Sequence, residues 1–383
     1  MITREAQEST IRLAKQFPVV AITGARQTGK TTLAQLTFPQ KKYVNFDDTD
    51  TLNIAKNNPK DFIIALNNGA IIDEAQKLPE IFDAIKLHVD TTNSKPGKFI
   101  LTGSSQFRLK ENISDSLAGR IGIINLAPLS ISELKNESIL KENFYENLLY
   151  GFYPPLHDET KNFNRNDWYK NYVSSYLNLD VKDNINPSNL NQFQNFLISC
   201  AHHSGKLLNV ESITNKLSIS AVTGKTWLSI LASSFIVSLV YPKFSNHLKS
   251  IVKKPKLYFN DTGLLCHLLR INTVEDLLLS PYKGAIVETA AISEIIKSRS
   301  NKGYNEDIYY LRVNNNYEVD VIANWDKNYA IEVKSTTTET EKTERQLLKV
   351  DEILHEAHIK KIYYTGDITT NSSKISYISW RDW

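Results

Sequence analysis

Short apolar runs alternate with amphipathic stretches from residue 19 to about 130, the pattern of a parallel sheet covered by helices. The runs predict strands at Val19–Thr23, Tyr43–Phe46, Ala70–Asp73, Lys98–Thr102 and Gly122–Leu126. Helices are predicted between them at Thr31–Leu36, Asp61–Asn67 and Pro79–Val89. Pro128 and the polar run from Lys135 to Asn143 mark a boundary, after which long amphipathic stretches such as Asp167–Asn178 and Leu190–Ser204 read as mainly helical. Past Leu279, punctuation by Pro281 and Gly284 precedes a helix at Ala285–Lys297. Strands are then expected at Ile308–Val313, Tyr317–Ala323, Tyr329–Ser335 and Lys361–Thr365.

The first strand runs into Gly24-Ala25-Arg26-Gln27-Thr28-Gly29-Lys30-Thr31-Thr32, which matches the P-loop pattern GxxxxGK[ST] between a strand and a helix. The glycines let backbone N–H groups converge on phosphates, and the helix N-terminus adds its positive end. Lys30 is expected to reach the β and γ phosphates of ATP, and the Thr31 hydroxyl to bind Mg2+. A second GKT at Gly224–Thr226 fails the pattern, because Ile219 stands where the first glycine belongs.

Such a loop needs an acid on a neighbouring strand to hold the metal, and Asp73 in GAIIDEAQ is the candidate. Glu74 follows at the carboxyl edge of the sheet, where a carboxylate deprotonates an attacking water. Thr102, Ser104 and Ser105 end the fourth strand where a hydroxyl can sense the γ phosphate, with Ser104 the candidate. Arg120 is a candidate arginine finger or sensor, acting within one chain or across a homo-oligomer.

Composition removes other classes. The 383 residues are enough for two or three domains, and 41% hydrophobic with 23% charged residues is ordinary for a globular chain. Charges of 45 basic and 42 acidic residues are too balanced to argue for nucleic-acid binding without a local patch. Two isolated cysteines exclude a disulfide scaffold and fit a reducing, cytoplasmic setting. The N-terminal stretch lacks the apolar core of a signal peptide. The most apolar later segment, Trp227–Tyr241, is broken by serines and shorter than the ~20 residues of a membrane span, so none is expected.

In the middle part, VESITNKL, a turn at Ser218–Ser220 and AVTGKTWLSILASSF read as a helix-turn-helix, with a two-strand wing at Ile236–Tyr241 and Lys256–Phe259. Lys225 and Thr226 on the second helix, with Lys249, Lys253, Lys254 and Lys256 near the wing, would contact DNA phosphates without reading sequence.

In the last part, YEVDVIA and YAIEVKS form a hairpin that sets Asp320 opposite Glu332. Lys334 shares their face, and Val319, Val321, Ile331 and Val333 take the other. Two carboxylates and an ammonium converge, as in a D…ExK nuclease whose acids bind magnesium. Glu288 on the preceding helix is an additional candidate ligand, and Glu318 borders the site.

GARQTGKTT, IIDEAQKLPEIFDAIKLHVD, KFILTGSS, DSLAGRIGIINLAPLSISEL, KLYFNDTGLL and YEVDVIA with AIEVKS together resemble the bacterial and archaeal AAA-type ATPases that carry a C-terminal domain of unknown function. The resemblance covers nearly the whole chain. It implies an α/β fold: a P-loop parallel sheet with flanking helices over residues 1–135, a helical winged-helix domain over 136–278, and a small α/β restriction-endonuclease-like domain over 279–383. The expected function is ATP hydrolysis coupled to DNA binding and metal-dependent cleavage. The alternative is an ATP-driven switch acting on a protein partner, with an inactive nuclease-like domain.

Overall fold

The five apolar runs of the first part form one parallel sheet. β1 (Val19–Thr23), β2 (Lys42–Asn45), β3 (Ala70–Asp73), β4 (Phe99–Gly103) and β5 (Ile121–Asn125) lie in the order β2-β3-β4-β1-β5. The structure is a computed structural model and describes residues 2–92, 94–103, 116–176, 189–243, 254–313, 317–338 and 341–383. By its contacts the chain divides into two units: residues 1–129 with 233–235 and 297–305, and residues 130–232, 236–296 and 306–383.

In the first unit, successive side chains of each strand alternate between two cores. Val19, Ala21, Phe99 and Leu101 join one, and Val20, Ile22, Ile71 and Ile100 join the other. Helices α3 (Thr49–Asn57), α4 (Pro59–Ala65) and α5 (Glu80–Thr92) contribute Ala55, Ile63, Ile81, Phe82 and Ile85 to the first core. Helices α1 (Ala6–Ala14) and α2 (Lys30–Thr37) contribute Ala6, Leu13, Leu33 and Ala34 to the second. Sheet burial on both faces is what a parallel arrangement demands. At about 1.5–3 kcal/mol per large aliphatic side chain, it fixes β1, and with it the start of the P-loop.

Two of these helices were not predicted. The inward stripe of α1 is Ala6, Ser9, Thr10 and Leu13, correctly spaced for a helix but half polar in type. α3 buries Ala55 as its single core residue and owes its start to Asp48, whose side chain caps the Thr51 N–H.

The second unit contains an eight-stranded mixed sheet. β6 (Lys206–Leu207), β7 (Val237–Pro242), β8 (Lys256–Phe259), β9 (Ile308–Val313), β10 (Tyr317–Asn324), β11 (Asn328–Lys334), β12 (Ile359–Tyr364) and β13 (Ser376–Ser379) lie in the order β13-β12-β11-β10-β9-β7-β8-β6. The parallel step from β11 to β12 is made through helices Glu341–Leu348 and Val350–Leu354. Upstream, helices Val210–Lys216 and Ala221–Ser233 flank a short turn and lead into the antiparallel β7–β8 pair.

The motif after β8 is structural. Buried Asp261 caps helix Thr262–Leu268 through the Leu264 N–H, and also accepts from the Phe152 N–H (2.7 Å) and the Tyr169 hydroxyl (2.8 Å). Gly263 leaves room for that hydroxyl, since a Cβ there would fall 2.1 Å from it. Both cysteines are buried and free. Among the described residues no helix is long and apolar enough to cross a membrane.

Candidate functional site

β1 ends at Thr23, and the chain curls through Gly24–Gly29 into α2. Gly24 has φ +150° and a Cβ there would lie 2.2 Å from the Leu126 carbonyl oxygen, so the position excludes any side chain. Gly29, at φ +90°, turns the loop into the helix. Buried Arg4 braces the loop from behind, donating to the carbonyls of Thr28 (2.6 Å) and Ala127 (2.7 Å). Lys30 Nζ folds back onto the loop carbonyls of Gly24 (3.1 Å) and Ala25 (2.8 Å).

Asp73 is not on the neighbouring strand, as the sequence led us to expect. β4 lies between β3 and β1, which puts the acid's strand about 10 Å from the P-loop strand. Helix α2 closes that gap, because its second residue, Thr31, donates from Oγ1 to Asp73 Oδ2 at 2.9 Å. The Tyr43 hydroxyl donates to the same oxygen (2.7 Å), and Thr102 Oγ1 donates to Oδ1. Thr102 is thus engaged with the acid; Ser104 and Ser105 lie outside the described residues.

Glu74 adopts a left-handed backbone (φ 53°, ψ 40°), a conformation that costs a non-glycine residue about 1–3 kcal/mol and concentrates at functional sites. Burial raises its carboxyl pKa, opposed by Lys30, by a hydrogen bond from Gln76 Nε2 and by Arg26. Gln76 and Tyr43 carry no motif signature and were missed.

In the second unit, Glu288, Asp320, Glu332 and Lys334 do come together, and an unexpected group stands among them. Lys256 was read as a solvent-facing wing lysine. It is 3% exposed, and its Nζ lies 2.9 Å from Glu288, 2.5 Å from Glu318 and 3.3 Å from Asp320. Its strand fixes it there, since Lys256 pairs with Val240 on one side and Leu207 on the other. Burial works against its charge, but Asp320 and Glu288 outweigh burial and raise its pKa.

Other donors reach the same acids. Tyr258 donates to Glu288 (2.6 Å), the Val333 N–H to Asp320 Oδ2 (2.9 Å) and Lys334 to Glu332 (2.6 Å). Burial and the Asp320 charge push the Glu288 carboxyl up to about 7 and that of Glu332 up to about 8. The hairpin ladder begins at Val321–Ile331, which leaves Asp320 and Glu332 just beyond its paired end. A register irregularity against β9 between Val319 and Ile322 corrects one expectation: Val319 and Val321 enter different cores.

Residues 16–135 match the family model described as AAA domain. The match falls on the segment that carries the P-loop and its parallel sheet. Residues 141–275 and 283–383 match two models described as domains of unknown function, DUF8612 and DUF4143. The chain is 27% identical over 340 residues to two uncharacterized proteins, Rv2008c of Mycobacterium tuberculosis and Mb2031c of Mycobacterium bovis, covering 88% of this chain and 74% of theirs. Among solved structures, the Walker-type ATPase of Pyrococcus abyssi is similar at 15% identity, with a TM-score of 0.44 over 69% of this chain and 95% of that one. The Thermotoga maritima RuvB Holliday junction branch migration motor is similar at 16% identity, with a TM-score of 0.31 over 62% and 89%. Both scores are too low to align functional residues.

Within this segment, Arg120 stands at the wrong end of the sheet to act on its own P-loop. β5 runs parallel to β1 with Ile121 opposite Val19 and Asn125 opposite Thr23. Arg120 therefore sits beside the start of β1 while the P-loop follows its end, roughly 15 Å away along the strands. There it forms a two-point ion pair with Asp90 (2.6 and 2.9 Å). Of the middle-part lysines, Lys225 and Lys254 are exposed, and Lys249 and Lys253 lie outside the described residues.

Proposed function

We propose that this chain binds and hydrolyses ATP, and that its nucleotide state works as a switch. The observation that carries the reading is the meeting of Lys30, Thr31, Asp73 and Glu74 at one end of the sheet, centred on the Thr31–Asp73 hydrogen bond. The loop amides and the start of α2 would receive the phosphates, and Lys30 would exchange its two carbonyl partners for phosphate oxygens. Thr31 and Asp73 fit a magnesium ion, because their hard oxygens already lie side by side; the bound metal would supply charge neutralisation at the β and γ phosphates. Glu74 would take a proton from the water that attacks the γ phosphorus, releasing ADP and phosphate.

Coupling to DNA is supported by helix Ala221–Ser233, which follows a turn as the second helix of a winged helix would and exposes Val222, Lys225 and Thr226. Magnesium-dependent cleavage at Asp320, Glu332 and Lys334 with Glu288 is the less favoured reading, because an ammonium already holds the central position among these acids.

Phosphate release from ATP, measured with and without single-stranded and duplex DNA, tests the proposal. We expect turnover by the wild type and none by Lys30→Ala. Equal turnover by the two would overturn the ATPase reading. Stimulation by DNA that disappears in Lys225→Glu supports the DNA branch, whereas indifference to DNA favours a protein partner.

A further inference from the structure

Four carboxylates, from Glu288, Glu318, Asp320 and Glu332, meet three cations, from Lys256, Arg312 and Lys334. A small divalent ion demands several oxygens at about 2.0–2.6 Å, in a shell completed by water or further carboxylates. Both oxygens of Asp320 and of Glu318, and Oε1 of Glu288 and of Glu332, are engaged by protein donors. Among the described residues no group of three or more His, Cys, Asp or Glu side chains is arranged to hold a metal. The residues as they stand do not fit the metal that their D…ExK spacing implies.

We propose that Lys256 is the resident cation of this cluster: its ammonium takes the place of a divalent ion, ties β8 to β10 and to helix Lys283–Asn301, and excludes metal while it is there. Three features support the assignment. Lys256 is almost fully buried, so its charge is not there for solvent. Its backbone is held by strands on both sides, so it is not a long side chain that has wandered inward. The carboxylates reach it from two different elements, Glu288 from the helix and Glu318 and Asp320 from β10, so the ammonium joins a helix and a strand to β8. Two positive charges cannot both occupy this position, and an ammonium that stays will keep out a dication that competes for the same oxygens.

The test is Mn2+ binding to the full chain without nucleotide, read by the loss of free-ion signal in electron paramagnetic resonance. Wild type is compared with Asp320→Asn, Lys256→Met and the double variant Lys256→Met/Asp320→Asn. The expected result is that Asp320→Asn leaves wild-type binding unchanged, and that Lys256→Met gains one site that the double variant loses. A wild-type site abolished by Asp320→Asn would overturn the proposal, as would a folded Lys256→Met that gains no site. Should Lys256→Met fail to fold, melting of the wild type decides: a midpoint equal in EDTA and in Mn2+ agrees with an internal cation, and one raised by Mn2+ through Asp320 contradicts it.

Discussion

Thr31 Oγ1 lies 2.9 Å from Asp73 Oδ2, although β4 separates the strands from which these two residues come. The contact exists because α2 starts at the carboxyl end of β1 and carries Thr31 across the sheet edge. Asp73 therefore receives three hydroxyl groups, from Thr31, Tyr43 and Thr102, and its carboxylate is oriented before any metal arrives. Orientation of this kind reduces the reorganisation needed at the moment of reaction.

Tyr43 is a positioning residue in this account. Tyr43→Phe removes one donor from Asp73 and leaves the P-loop untouched. ATP binding should hold while the magnesium concentration for half-maximal hydrolysis rises several-fold, in line with a hydrogen bond to a charged group worth about 1.5–3 kcal/mol at most. A magnesium titration of the ATPase rate checks this, and an unchanged midpoint would leave Tyr43 without a part in the site.

Glu74 has to be ionised to accept a proton, and burial raises its pKa. The acid limb of the rate should accordingly lie above the ordinary glutamate range, with activity falling as pH drops through it. The hydrogen bond from Gln76 favours the ionised form, so Gln76→Leu should move that limb to still higher pH. A pH profile of kcat for the two proteins gives the comparison.

The C-terminal cluster predicts a slope of opposite sense in stability. Glu288 and Glu332 titrate near 7 and 8 in the folded chain, above their ordinary value of 4.5. The folded state thus binds these protons more tightly than the unfolded one. Their contribution is fully present below pH 4.5 and is lost as pH rises through 7 to 8. Melting temperature measured across that window should fall, and Glu332→Gln should flatten the fall.

Asp261→Ala should be among the more damaging single changes outside the P-loop. It strands two backbone N–H groups and a tyrosine hydroxyl in a buried place, each worth about 1–3 kcal/mol when left unsatisfied. Chemical denaturation would show a lower midpoint, with Asp261→Asn recovering part of the loss.

The sequence carried the first sheet well, because β1, β3 and β4 are apolar on both faces and bounded by glycine or polar residues. It carried α1 and α3 poorly, since Ser9 and Thr10 stand at buried helix positions and α3 buries little. β13 was missed for a related reason: SYIS is short and follows a polar run. P-loop residues were legible from spacing alone. Tyr43 and Gln76 were not, because nothing local marks a side chain that reaches an acid on another strand or two residues back. Lys256 was misplaced by residue type, as a lysine in a strand next to a lysine-rich stretch reads as solvent-facing until the carboxylates of Glu288 and Asp320 are seen beside it.

The most direct test of the central claim is single-turnover hydrolysis by Glu74→Gln, with nucleotide affinity measured in parallel. The account predicts ATP affinity close to that of the wild type and hydrolysis slowed by a factor of about 100 or more, the usual scale for losing a general base. Hydrolysis by Glu74→Gln at the wild-type rate would contradict it.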